Sequence, residues 1–146
     1  MTIYFYRERD AYGFLSNFSA HGVTLKGRYW PTTEHYFQAM KFEGTPHEEE
    51  VRAAPSPKRA KELGGDRARP RRPDWDSARD GVMKEALRAK FTQHQDLRDA
   101  LLATGDETLV EDAPRDFYWG CGRDRTGKNR LGALLMEVRK ELREGT

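Results

Sequence analysis

The chain has 146 residues, 36% of them hydrophobic and 34% charged, with 26 Lys and Arg against 24 Asp and Glu. That length suits one domain with a sizeable core, and the near balance of charge excludes a global field for nucleic acid, so any anion site must be local. A single cysteine, Cys121, excludes an internal disulfide and a cysteine-built zinc cluster, and four histidines without metal-ligand spacing give no reason to expect a metal or cofactor. No apolar run approaches membrane-spanning length and the N-terminus becomes charged too early for a secretory signal, so a soluble cytoplasmic protein with no membrane partner is expected.

In chain order, residues 3–6 read as a short strand and Phe14-Leu15-Ser16-Asn17-Phe18-Ser19 as an aromatic-flanked loop. Val23 to Trp30 alternates around Lys26-Gly27, which predicts a small hairpin. Pro31 and two threonines open a helix that runs through Phe42 and stops at Gly44. Thr45-Pro46 and Ser56-Pro57 are each an N-cap followed by proline, and predict two further helices, the first ending before Pro55 and the second at Gly64-Gly65. A basic loop over 66–74 leads to Trp75. Ser77 is expected to cap a long helix to about Thr92, with Val82, Met83, Ala86, Leu87, Lys90 and Phe91 as its buried stripe and the lysine snorkelling. A helix over about Gln95 to Ala103, a strand at Thr108-Leu109-Val110-Glu111 and a glycine-rich loop follow. A final helix from near Asn129 buries Leu131, Leu134, Leu135, Val138 and Leu142. The expected class is α+β, mostly helical, with a small β-sheet.

The most informative segment is the first helix. Glu34, Gln38 and Lys41 are spaced i, i+4, i+7 and fall on one line of it, beside Phe37 and Met40. A carboxylate, an amide and an amine among aromatics can build a site for a sugar or nucleobase. The same line can equally be the solvated face of an amphipathic helix. The loop from Tyr118-Trp119-Gly120 through Gly122 to Asn129 brings glycines and cations to a helix N-terminus, a sensible phosphate cradle, or simply a flexible loop capped by Asn129. Arg67, Arg69, Arg71 and Arg72 before Trp75 suit phosphate and base stacking, or else a solvated loop with Trp75 as a core anchor. Ser16 and Asn17 can hydrogen-bond a ribose or base edge, or merely shape a turn. Cys121 lacks a histidine nearby in sequence and is a poor candidate nucleophile.

Tyr12 to Phe18, Trp30 to Phe42, Asp66-Arg67 with Trp75, Met83 to Phe91, Trp119-Gly120 and Gly127 to Gly132 together resemble the NADAR superfamily, and within it the YbiA-like N-glycosidases. The resemblance spans almost the whole chain in order, and implies one NADAR domain over 1–146. It implies hydrolysis of an N-ribosidic bond, without a cofactor. Two substrate classes follow from it: phosphorylated ribosylaminopyrimidines of early riboflavin biosynthesis, and ADP-ribose attached to guanine, including guanine in DNA. Glu34, Trp75 and Trp119 match family active-site residues, and Lys41 matches a lysine that engages the sugar. Expected substrate contacts are Ser16, Asn17, Gln38, Arg67, Trp75, Tyr118, Trp119, Gly120, Gly122 and Asn129. Where YbiA-like members often carry an aspartate two residues after the last-loop tryptophan, this chain has Cys121, with Asp124 close by. That departure keeps open a different class, a non-catalytic module that binds ADP-ribose or an NAD derivative. For an enzyme, Glu34 can assist water directly, or Lys41 can form a Schiff base with ribose C1.

Overall fold

The computed structural model describes residues 1–145. Strand β1 is Thr2–Phe5, followed by a 3₁₀ turn at Gly13–Leu15, and β2 (Val23–Leu25) and β3 (Arg28–Trp30) form a hairpin. Helices α1 (Thr33–Met40), α2 (Pro46–Arg52), α3 (Pro57–Gly64), α4 (Trp75–Gln93) and α5 (Gln95–Ala103) precede β4 (Thr108–Glu111) and α6 (Arg130–Arg143). The α+β, mostly helical expectation holds. The strands make two separate pairs: β1 lies parallel to β4, with Phe5 opposite Glu111, while β2 and β3 pair antiparallel. Lys26 and Gly27, both at positive φ (55° and 73°), form the two-residue hairpin turn.

Local chemistry explains most boundaries. Thr45 and Ser56 cap α2 and α3 by accepting from His47 N–H and Arg59 N–H, each with proline in the first turn. Strand β1 lies one residue earlier than expected, and two helix boundaries depart from the sequence reading. Helix α1 ends at Met40 rather than Phe42, because Lys41 and Phe42 donate to Gln38 O and Ala39 O, three residues back, which tightens the last turn. Helix α4 starts at Trp75, two residues before the expected Ser77 cap. The Asp74 carbonyl takes the Ser77 and Ala78 N–H groups, while the Asp74 carboxylate is held by Arg72.

The core places α1 centrally, against α2, α3 and α4. Trp30 and Tyr36 meet edge to face at 5.1 Å, and both are fully buried. Each such aromatic contributes about 1.5–3 kcal/mol by leaving water. Lys90 does not snorkel. It is fully buried, with its ammonium inside the protein. Asn129 sits at φ 49° before α6, and its side chain bridges to β4, accepting from Glu111 N–H at 2.9 Å and donating to Leu109 O at 2.9 Å. This link fixes the end of β4.

Asn129→Ala therefore removes both bonds and a side chain suited to left-handed backbone. It is expected to lower unfolding stability by about 1–3 kcal/mol, read from the urea midpoint. A loss within the roughly 0.5 kcal/mol of an ordinary surface substitution would contradict the link's role.

Candidate active site

Helix α1 is buried along its whole length, although five of its eight residues are polar or carry a phenol (Thr33, Glu34, His35, Tyr36 and Gln38). Each polar group needs a partner inside the protein. The Thr32 hydroxyl accepts from His35 N–H at 3.1 Å and so caps the helix. His35 bridges Thr32 and the Ala54 carbonyl (2.8 and 3.0 Å). Burial lowers its pKa, so the ring is neutral there. Thr33 donates to the Asn17 side-chain oxygen at 2.8 Å, and Glu34 N–H donates to the Asn17 carbonyl at 3.2 Å. The turn at Ser16–Asn17 thus holds the first turn of α1.

The expected line of polar groups forms. Glu34 is 7% exposed, and burial pushes its pKa above the usual carboxylate value. The Gln38 amide opposes that shift by donating to Glu34 Oε2 at 2.7 Å, as do the charges of Lys61 and Lys41. Lys41, 9% exposed, donates to Gly64 O at 3.3 Å and lies 5.9 Å from the Phe37 ring centre. Burial, helped by the charge of Arg71, pulls its pKa down to about 8 against the opposite pull of Glu34. Gly64 is required here: a Cβ on it would lie 1.9 Å from Gln38 Oε1, displacing the amide that holds Glu34.

These residues open into a cleft of about 1120 Å³. Ser16 and Asn17 line one side, and Glu34, Phe37, Gln38 and Lys41 form the α1 wall. Trp119 lines it too, packed edge to face on Phe37 at 5.3 Å. Of the expected site residues, these six polar and aromatic side chains (Ser16, Asn17, Glu34, Gln38, Lys41, Trp119) come together. The others lie elsewhere. Trp75 is buried at 4% exposure behind Phe37, 5.1 Å between rings, and supports the wall without lining it. Arg67 is exposed on a separate shallow depression with Arg69 and Arg71. Tyr118 turns away to donate to Asp80 at 2.5 Å, under the Arg79 guanidinium. Gly120, Gly122 and Asn129 do not line the cleft, and the loop's amides bond protein carbonyls. Cys121 N–H donates to Glu111 O, Gly122 N–H to Ala113 O, and the N–H groups of Arg130 and Leu131 to Tyr118 O and Trp119 O. Gly122 is needed because a Cβ would meet the Phe117 ring at 2.5 Å. Cys121 is buried, 3.5 Å from Asp112, and burial raises its pKa, which leaves no accessible thiolate. Asp124 is exposed and accepts from Thr126.

Sequence reasoning missed several lining residues. Glu111, at the end of β4, lines the cleft, and burial together with the charges of Asp116 and Glu34 pushes its pKa to about 8. Asp116 lines it as well, its Oδ1 accepting from Tyr118 and Trp119 N–H at 3.0 and 2.8 Å. Five further cations (Arg7, Arg9, Lys58, Lys61 and Arg115) surround them. They come from three distant segments, so no local motif announces them. Among the described residues no cluster of His, Cys, Asp and Glu is arranged to hold a metal ion, and no helix is long and apolar enough to cross a membrane.

The NADAR domain model matches residues 4–143. The chain is 51% identical over 140 residues to N-glycosidase YbiA of Escherichia coli, covering 96% of this chain and 88% of that protein. It is 47% identical to an N-glycosidase of Nostoc punctiforme, covering 98% and 94%. It is 42% identical to a protein of Vibrio vulnificus named for riboflavin biosynthesis, covering 97% of this chain but 39% of that one. The NMR structure of E. coli YbiA superposes with a TM-score of 0.90 at 50% identity, over 98% of this chain and 85% of that one.

The raised pKa of Glu111 has a consequence for stability. Between the ordinary value of 4.5 and about 8, the folded chain holds a proton that the unfolded chain has released, so this group makes stability fall as pH rises through that window. Glu111→Gln, fixed as neutral, is expected to match the wild type below pH 4.5 and to melt higher above pH 8. Equal melting temperatures at both ends would place the Glu111 carboxyl in solvent.

Proposed function

The chain belongs to the NADAR domain family, and on that premise we propose that its cleft hydrolyses the bond between ribose C1 and a base nitrogen in a phosphorylated ribosyl substrate. It is a hydrolase of N-glycosyl bonds, the activity for which its half-identical relatives are named. One observation carries the reading of the site: Glu34 and Lys41 are buried in the same cleft, and burial drives both toward their neutral forms. A neutral amine is a nucleophile, and a carboxyl with a raised pKa can give and take a proton near neutrality.

These properties favour the Schiff-base route. The ribosylamine opens, with the C1–O4′ bond breaking and the ring oxygen taking a proton. Lys41 Nζ then attacks C1, and the base departs as a free amine carrying a proton relayed by Glu34. The iminium left between C1 and Nζ is resolved by water, which restores Lys41 and releases the sugar. Glu111, half-buried at the end of β4, is a second carboxyl able to protonate the departing nitrogen. Trp119 and Phe37 offer aromatic surface to the base, and Ser16, Asn17 and Gln38 offer hydrogen bonds to the sugar. The cations around the cleft suit the phosphate.

The riboflavin-named relative supports a ribosylaminopyrimidine phosphate as substrate. The cleft volume of about 1120 Å³ and its many cations support the larger alternative, ADP-ribosyl guanine, free or in DNA. A non-catalytic ADP-ribose-binding module loses its main support, because Cys121 lies off the cleft.

Offered both substrates together, the purified protein is expected to release ribose phosphate or ADP-ribose, as read by mass spectrometry, and the preferred product assigns the class. Borohydride added during turnover should leave a reduced sugar adduct on Lys41. Lys41→Ala is expected to lose about 10²–10⁴ in kcat. A Lys41→Ala variant near wild-type turnover would exclude the Schiff base, and tight binding of ADP-ribose with no turnover of either compound would mean a binding module.

A further inference from the structure

Lys90 lies on α4 with its side chain fully buried, yet it takes no part in the chemistry above. Its ammonium donates to the Ser16 carbonyl at 2.9 Å and to the Ser19 hydroxyl at 2.8 Å. Among the described residues it has no carboxylate partner. Burial alone acts on its ionisation, pulling the pKa down to about 7. A core position of this kind ordinarily holds an apolar side chain, since a buried amine carries a large desolvation cost. What the amine holds gives the reason. Met83, two turns earlier on the same helix, accepts from the Asn17 amide at 3.3 Å. Met83 and Lys90 together pin the turn from Ser16 to Ser19 onto α4. The Asn17 carbonyl of that turn receives Glu34 N–H at 3.2 Å, and its side-chain oxygen receives the Thr33 hydroxyl at 2.8 Å. The Ser19 hydroxyl also meets His21 Nδ1 at 3.2 Å, and His21 packs against His94 at 5.6 Å, closing the far end of the turn.

We propose that Lys90 is a positioning residue for the hydrolysis, its buried ammonium clamping the Ser16–Ser19 turn and, through Asn17, fixing where the first turn of α1 presents Glu34 to the substrate. The chain of bonds runs from α4 to the cleft in three steps: Lys90 to the Ser16 carbonyl, Ser16 to its neighbour Asn17, and Asn17 to Glu34. Ser16 and Asn17 also line the cleft, so the clamp shapes the sugar-facing wall as well as the carboxylate's origin.

The proposal rests on Glu34 acting in the reaction, and its test separates the two. Lys90→Met keeps an unbranched side chain through the Cε position and removes the donors. Ser19→Ala removes one acceptor and leaves the lysine, and Ser19→Thr keeps the hydroxyl. The expected result for Lys90→Met is a folded protein with kcat lowered about 10²-fold and KM within about threefold, as for a misplaced catalytic group. Ser19→Ala should lie between Lys90→Met and the wild type, and Ser19→Thr should recover most of the loss. Amide hydrogen exchange at Glu34, read without substrate, should quicken in Lys90→Met and Ser19→Ala. Wild-type kcat and unchanged exchange at Glu34 in Lys90→Met would overturn the proposal. If Lys90→Met does not fold, the serine pair decides, and a Ser19→Ala protein with wild-type kcat and exchange overturns it. A wild type without N-glycosidase activity would remove the reading of Glu34 as catalytic, while faster Glu34 exchange in the variants would still establish the clamp.

Discussion

Desolvation of polar groups at α1 is the constraint on which the rest depends. A fully buried helix would ordinarily be apolar all round, but this one carries Glu34, His35 and Gln38 into the interior with Lys41 at its end. The surrounding elements are arranged to satisfy most of them, while the buried Gln38 Oε1 has no hydrogen-bond partner among the described residues. Thr32 and Ala54 hold His35, Asn17 holds Thr33 and the Glu34 backbone, and Gly64 leaves room for Gln38 to hold the Glu34 carboxylate. Packing of α2, α3 and α4 around α1 keeps water from these groups. That exclusion shifts the carboxyl upward and the amine downward, and the two shifts bring both groups toward a common range in which a proton can pass between them.

The same logic extends beyond α1. Phe5 of β1 sits opposite Glu111 in the parallel pair, and Asn129 ties the end of β4 to the start of α6. The pairing delivers a further carboxyl to the cleft, and burial, helped by the nearby charge of Asp116, keeps it from ionising early. The positive charge of Lys61 acts on all three, attracting the carboxylates of Glu34 and Glu111 and repelling the ammonium of Lys41, and it lowers each pKa. Ionisable groups in this cleft therefore form one coupled set, and their titration belongs to the set more than to any member. Two of the four arginines of the loop before Trp75 do different work: Arg69 pairs with Glu50 and Asp66, and Arg72 with Glu43 and Asp74. They brace the loop from outside.

Features written in local chemistry were legible in the sequence. The caps at Thr45 and Ser56, the Lys26-Gly27 turn and the Glu34–Gln38–Lys41 line each depend on residues within a few positions, and each formed. The start of α4 was misread because the Asp74 carboxylate is taken by Arg72, and its backbone carbonyl does the work expected of Ser77. The glycine-rich loop reads as a phosphate cradle because sequence cannot say where amides point, and here they bond within the loop and to the carbonyls of Glu111 and Ala113. Glu111 carried no signal, since a carboxylate at a strand end looks like any solvated residue. Arg7, Lys58 and Arg115 meet only through tertiary structure. Lys90 was read as a snorkelling stem on a helical stripe, because periodicity records that a position is buried but not what its head group bonds.

The measurement that tests the central claim most directly is an NMR titration of Lys41, following its ¹³Cε resonance in protein labelled at lysine, assigned by comparison with Lys41→Arg. Burial in the α1 cleft predicts a midpoint at about 8, where an unperturbed lysine titrates at 10.5. A midpoint at 10.5 would mean that water reaches the amine, and both the nucleophile and the proton relay with Glu34 would lose their physical basis.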